Sequence, residues 1–385
     1  MNLLKVRPLK TIFMLGLAGL LSACSQMTVT PQSSGPVTLQ PNPKHVALLL
    51  PLSGPDAAVG QAVRDGFLTA YYNTTPTANS PTVVRVYDTA KGSALPIVYQ
   101  QAVADKADII IGPLESNDVT NFARMRPNLP VIALNYPVNP KQLQPGFYEF
   151  GLSPTQEAAQ VALKATSDGH HHALIIYPND DWGNSAAAAF ATHFQSQGGN
   201  IVGQLAYKPT QNVRQIIGNL LQVQPCASNG CTPTRRQDFD MILILAQSGF
   251  AKQIIPVLQQ DGAGNVAMYS TSAIYDGVQN PGYYTAMGNV IFCDIPWLLT
   301  SSPALTQAQT KIPANWVVPY QNYLRFYALG MDSFALVDQL PALAASPMSA
   351  NYVGATGTLY ANRVQHIIRQ VQWAQFQNGQ VKQLS

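Results

Sequence analysis

The sequence predicts an α/β protein built from two successive doubly wound parallel sheets, and three observations carry that prediction. His45 to Leu50 (HVALLL) is an uninterrupted apolar run of strand length, as in strands buried on both faces. Beyond it, strand-like runs alternate with segments of helical period, the pattern of a parallel sheet covered by helices on both sides. The alternation starts afresh after Gly151-Leu152-Ser153, so one α/β set follows another.

In the first set the strand at His45 is followed by a turn in which Ser53 or Gly54 can cap a helix and Pro55 can occupy its first position. Val59, Ala62, Val63, Phe67, Ala70 and Tyr71 then recur at helical spacing. Val83 to Tyr87 is strand-like and Ser93 to Ala104 helix-like. Asp108 to Ile111 leads through Gly112-Pro113-Leu114 into a helix starting near Ser116, and Pro130 to Leu134 ends in Asn135-Tyr136. The second set reads as strands at His172 to Tyr177, Asn200 to Ala206, Phe239 to Leu245 and Val266 to Ser270. Helices at Trp182 to Gln197, Val213 to Val223 and Phe250 to Gln260 separate them.

The last third departs from the alternation. Val290 to Cys293 is one more strand, Asp294 to Val318 is irregular and proline-rich, and Tyr320 to Leu340 is a strongly apolar helix. Gly357 to Gln377 alternates in part, and Asn378-Gly379 is a hairpin turn signal. Such an ending suits a chain that crosses back to complete both sheets. The expected division is residues 44–150 with 273–350 in one lobe and 151–272 with 351–385 in the other.

Composition narrows the function. The chain has 385 residues, 46% of them apolar and only 11% charged, with a net charge of +3. No basic stripe accompanies that small charge, so nucleic acid is not an expected partner. Residues 1–23 read as a targeting segment: Lys5, Arg7 and Lys10 precede the apolar run Thr11 to Leu21, and Leu21-Ser22-Ala23-Cys24 closes it. That tetrad resembles a bacterial lipobox, which implies cleavage before Cys24 and acylation of its sulfur, an anchor to a membrane. Ser25 in place of Asp implies onward passage to the outer membrane of a Gram-negative cell. Residues 24–43, rich in Ser, Thr, Pro and Gln, read as a disordered tether reaching at most about 60 Å.

The ordered strings HVALLLPLSGPDAAVGQAVRDGF, DIIIGPLESNDV, PVIALNYP, FYEFGLSPTQEA, NDDWGNSAAAAF, DFDMILILAQSGFAKQIIPVLQ, IFCDIPWLL and GATGTLYANRVQHIIRQVQWAQFQNGQV narrow it further. From about Lys44 to its end the chain resembles the carboxyl-terminal domain of the LpoA family of outer-membrane lipoproteins. The resemblance implies a type I periplasmic binding protein-like fold, two doubly wound lobes joined by crossing segments around a cleft. It also implies a partner, a bifunctional penicillin-binding protein whose peptide cross-linking the domain favours. Longer members carry a helical-repeat domain where this chain has only the short tether. The alternative expectation is a lipid-anchored solute receptor of an ABC importer, taking amino acids or small peptides.

In such a fold ligands meet loops at the carboxyl ends of strands. By position the candidate cleft residues are Ser53, Gly54, Glu115, Ser116, Asn117, Asn135, Tyr136, Asp181, Trp182, Gln247, Ser272 and Tyr275. Glu115 stands where amino-acid receptors of this fold hold a carboxylate with hydroxyls, and it would repel an anion. Pro296 and Trp297, in the irregular stretch, are candidates for a partner surface, with burial as a lid on the first lobe the opposing expectation. Cys226 and Cys231 are expected to form a disulfide in an exported protein, and Cys293 to be a buried free thiol. His170, His171 and His172 alternate on a strand and cannot chelate one ion together, so no metal is expected. The motifs Gly-x-Ser-x-Gly and His-Glu-x-x-His are absent, and neither catalytic residues nor a cofactor are expected.

Overall fold

The structure is a computed structural model that describes residues 37–40, 42–73, 82–90, 95–138, 143–224, 234–278, 282–300, 306–307, 309–310 and 322–384. Cys24 and the Cys226–Cys231 pairing lie outside these residues.

The first sheet is parallel throughout, in the order β2-β1-β3-β4-β5, from β1 (His45–Leu50), β2 (Val83–Asp88), β3 (Ile109–Ile111), β4 (Val131–Ala133) and β5 (Phe147–Glu149). The unbroken apolar runs reflect burial on both faces. Val46, Leu48 and Leu50 point toward α1 (Ala57–Asn73) and toward α9 (Leu324–Ala345), sharing one core with Phe67, Leu336 and Leu340. Ala47 and Leu49 point the other way, toward α2 (Leu95–Ala104) and α3 (Ser116–Met125), beside Val98, Val119 and Phe122. The helix α1 begins two residues later than the proline suggested: Ala57 N donates to Gly54 O, so Pro55 and Asp56 form a turn ahead of it.

The second sheet runs β15-β14-β10-β9-β8-β6-β7. Its strands β6 (His172–Pro178), β7 (Asn200–Tyr207), β8 (Met241–Ile244), β9 (Ala267–Ser270) and β10 (Ile291–Asp294) are parallel, and β14 (Gln372–Gln377) and β15 (Gln380–Gln383) close it as an antiparallel hairpin turning at Asn378-Gly379. Helices α4 (Pro154–Ser167) and α5 (Asp181–Ser196) cover one face; α6 (Val213–Leu221) and α7 (Ser248–Leu258) cover the other. Two elements, β5 and α4, have no counterpart in the sequence expectation. For α4 the signal was present: Ser153 is the N-cap, accepting from Gln156 N at 3.2 Å, Pro154 sits in the first turn and Glu157 follows.

The expected lobe borders shift. Residues 273–294 go with the second lobe rather than the first, because β10 lies between β9 and β14 with Phe292 and Cys293 fully buried. Cys293 is a free thiol, as expected. Residues 351–370 go with the first lobe: β11 (Tyr352–Val353), β12 (Thr358–Ala361) and β13 (Ile367–Gln370) form a small antiparallel sheet whose Leu359, Ala361 and Ile367 join the core of β1. The chain therefore crosses between lobes at Phe150–Ser153, at Ile295 and at Val371. The end of the expected tether is also docked, since Leu39 packs on the first-lobe core and Pro43 is buried.

Trp297, expected with Pro296 at a partner surface, is buried instead. They open α8 (Pro296–Leu299), and Trp297, 1% exposed, is enclosed by Ala62, Ile295, Tyr327, Ala328 and Ala355. An indole between two helices and a loop removes more apolar area from water there than any smaller side chain could.

Two close contacts hold the arrangement. At the crossing of α1 and α9 the backbones touch: a Cβ at Gly66 would lie 2.0 Å from Tyr327 O, and one at Gly330 2.0 Å from Val63 O. Between lobes, Arg325 at the start of α9 reaches the end of β10. Its Nε donates to Asp294 Oδ1 at 3.0 Å, and its Nη2 donates to Asp294 Oδ2, to Ser272 O at 2.9 Å and to Tyr275 O at 2.8 Å. Burial pushes the Asp294 carboxyl up and Arg325 pulls against that shift. Replacing Gly330 by Ala is expected to cost about 1–3 kcal/mol by overpacking, read as a lower denaturant midpoint at unchanged slope. Arg325→Ala, which strands a fully buried carboxylate, is expected to cost about 3–5 kcal/mol in the same measurement, and Asp294→Asn combined with it to recover part of the loss. Full stability in Arg325→Ala would refute the clamp.

Candidate interlobe cleft

The strand carboxyl ends of both sheets carry the expected loops. From the first lobe come the turns after β1 (Ser53, Gly54), β3 (Glu115, Ser116, Asn117) and β4 (Asn135, Tyr136). From the second come those after β6 (Asp181, Trp182), β8 (Gln247) and β9 (Ser272, Tyr275). A cavity of ≈ 740 Å³ opens here, but its lining is uneven. Trp182, Gln247, Ser248, Tyr275 and Asp276 of the second lobe line it together with Tyr323, Arg325 and Phe326 of α9 and Leu152 of the first crossing. None of the seven first-lobe candidates does, nor do Asp181 and Ser272.

Hydrogen bonding explains why several candidates are not ligand groups. Ser116 Oγ donates to Tyr136 O, Asn135 Nδ2 donates to Leu114 O at 2.9 Å, and Asn135 Oδ1 accepts from Tyr136 N at 2.9 Å. These side chains tie their own loops to one another. Tyr136 serves the first crossing: its hydroxyl donates to Gly151 O at 3.3 Å and accepts from Gln156 Nε2 at 3.1 Å. Ser272 is buried; its N donates to Glu157 Oε2 at 3.0 Å and its carbonyl accepts from Arg325. Tyr275, 1% exposed, is packed against the rings of Tyr284, Phe292 and Phe376, so it reaches the cavity only at its edge. Glu115, Asn117, Asp181, Trp182 and Gln247 keep part of their surface open to solvent.

Charge sets the character of the first-lobe rim. Glu115 lies among Asp56 and Asp118, and its carboxyl is pushed up to about 7, first by burial and then by these two neighbours. Burial raises Asp118 as well. A ligand carboxylate brought here would meet further negative charge, which sets this rim apart from an amino-acid site. The polar groups missing from the sequence expectation are the buried Glu157 and Asp294 with the half-buried Arg325 that lines the cavity, Asp332 in α9, and Arg369 in β13. Asp332 accepts from Ala355 N and Thr356 N, both at 2.7 Å, and so pins the hairpin between β11 and β12. Arg369 Nη1 donates to Gly151 O at 3.0 Å. A carboxylate within a strongly apolar helix, as with Asp332, was the available signal, because an ionisable group is rarely buried without partners.

The sign of the Glu115 shift gives a pH dependence. Its folded pKa exceeds the unfolded value near 4.5, so its contribution is favourable below that value and is lost as pH rises through about 7. Glu115→Gln is expected to raise the melting temperature at pH 8 by about 1–2 °C and to leave it unchanged at pH 4. A thermal melt series across that range checks this, and a stabilisation independent of pH would contradict it.

Comparison with known proteins agrees with this geometry. Residues 37–379 match the family described as "LppC putative lipoprotein". The penicillin-binding protein activator LpoA of Dickeya chrysanthemi is 31% identical over 325 residues, covering 77% of this chain and 46% of that protein. The chain thus spans about half the length of such curated relatives. The solved carboxyl-terminal domain of Haemophilus influenzae LpoA, a regulator of PBP1A, superposes with a TM-score of 0.71 at 26% identity, over 89% of this chain and 100% of that domain. A solute-binding protein of an ABC transporter from R. palustris, solved with 4-hydroxybenzoate, shares the fold at TM-score 0.56 and 15% identity, over 89% of this chain and 96% of that one. The fold is therefore type I periplasmic binding protein-like, and with most of its length matched the chain belongs to the LppC lipoprotein family.

Proposed function

We propose that this chain is a regulatory binding protein of the cell envelope, anchored through Cys24 to the periplasmic face of the outer membrane. It docks on a bifunctional penicillin-binding protein and favours its transpeptidase activity, and it catalyses no reaction itself. The observation that carries this reading is the correspondence along the whole carboxyl-terminal domain of Haemophilus influenzae LpoA, a regulator of PBP1A. The cleft supports it: Ser116, Asn135 and Tyr136 are tied up in loop and crossing bonds, and the rim carries a carboxylate cluster where an amino-acid receptor needs to welcome an anion. None of the described helices is long and apolar enough to cross a membrane, which fits attachment by lipid.

A second reading, a lipid-anchored solute receptor of an importer, is favoured by the cavity lined by Trp182, Gln247 and Arg325. Two experiments separate them. The chain is expected to retain solubilised class A penicillin-binding protein in a pull-down and to raise the cross-linked fraction of its product; no retention at micromolar protein would reject the first reading. In a thermal shift series with amino acids and muropeptides, a ligand at 100 times its dissociation constant would stabilise by about 2.7 kcal/mol and establish the second.

A further inference from the structure

A second cavity, ≈ 760 Å³, lies outside the cleft. α9 lines it with Met331, Ala335, Asp338 and the edge of the largely buried Phe334, and the edge strand β11 lines it with Tyr352 and Val353. Its ends are made by two of the three crossings, at Pro296–Thr300 and at Gln370–Gln372. An occupant would therefore touch the first lobe and the connections that set its angle to the second.

The charge of this groove is one-sided. Asp332 and Asp338 line it, and among the described residues no Lys, Arg or His does. Asp332 is satisfied by the hairpin at Ala355 and Thr356. Asp338 is exposed and has neither an ion pair nor a hydrogen bond among the described residues, although the groove shields it enough to push its carboxyl up. Beside it stands apolar surface with nothing over it: Val353 is 73% exposed at the rim. A groove that sets apolar side chains beside a carboxylate with no ion pair among the described residues is complementary to a side chain with an aliphatic stem and a cationic head, which is what lysine and arginine present.

We propose that the groove between α9 and β11 is the docking site for a lysine- or arginine-bearing segment of the partner synthase, its stem along Phe334 and Val353 and its charge on Asp338. The proposal rests on the reading above that a class A penicillin-binding protein is the partner. Its seat on two crossings gives that partner a hold on the angle between the lobes.

The test measures binding of the detergent-solubilised synthase to the immobilised chain for the unaltered protein and four variants. Asp338→Lys is expected to weaken binding by at least about tenfold, Asp338→Asn and Val353→Glu by smaller factors, and Gln195→Lys, on the exposed side of α5, not at all. The loss on Asp338→Asn is expected to shrink as salt rises. Thermal melts identify any variant that is misfolded, and Asp338→Asn, an isosteric change at an exposed position, keeps the test open if the reversal does not fold. If the unaltered chain binds and the Asp338 variants bind within twofold of it, the groove proposal is overturned while the synthase reading stands. If Gln195→Lys weakens binding as much as Asp338→Lys, general charge repulsion replaces the groove. If the unaltered chain does not bind, both fall.

Discussion

The Arg325 guanidinium is the contact on which the two-lobed arrangement depends. It leaves the first turn of a first-lobe helix and ends on a carboxylate and two carbonyls of the second lobe. Charges removed from water are costly unless their hydrogen-bonding capacity is met, and here second-lobe acceptors meet it across a crossing. Glu157 adds a second carboxylate that fixes the Ser272 main chain beside the same arginine. The polar network occupies the place where a looser hinge protein would keep water.

This network also explains why a receptor-like fold carries a cleft with few free ligand groups. Of the polar side chains at the strand ends, Ser116, Asn135 and Tyr136 are engaged in their own loops and at the crossing. What remains open is acidic on one lobe and aromatic or amide on the other. The fold supplies a frame of two lobes, and the chemistry that faces outward decides what the frame is used for.

Much of this was legible in the amino-acid order. The run HVALLL, the strand at His172 and the helices at Val213 and Phe250 fall within a few residues of where periodicity put them, because burial on both faces or along one stripe leaves a direct imprint. The short strand β5 was illegible, since three residues buried by tertiary neighbours have no period. The lobe borders were misread for a related reason: β10 and β13 are each four residues long, and nothing local to IFCD or IIRQ says which sheet they join. At the cleft, position along the strands located the loops at the strand ends, but not which of them line the cavity or which side chains were already committed. That depends on partners up to 115 residues distant, as with Glu157 and Ser272.

The interleaving of the chain has a consequence for its birth. The first sheet lacks one covering layer until α9 has emerged, and β10 remains an unprotected edge until the hairpin β14–β15, within the last fourteen residues, comes to lie beside it. Neither lobe can close in the order in which the chain is made: the first waits for α9 and the second for β14 and β15, and open strand edges and uncovered apolar faces persist in between.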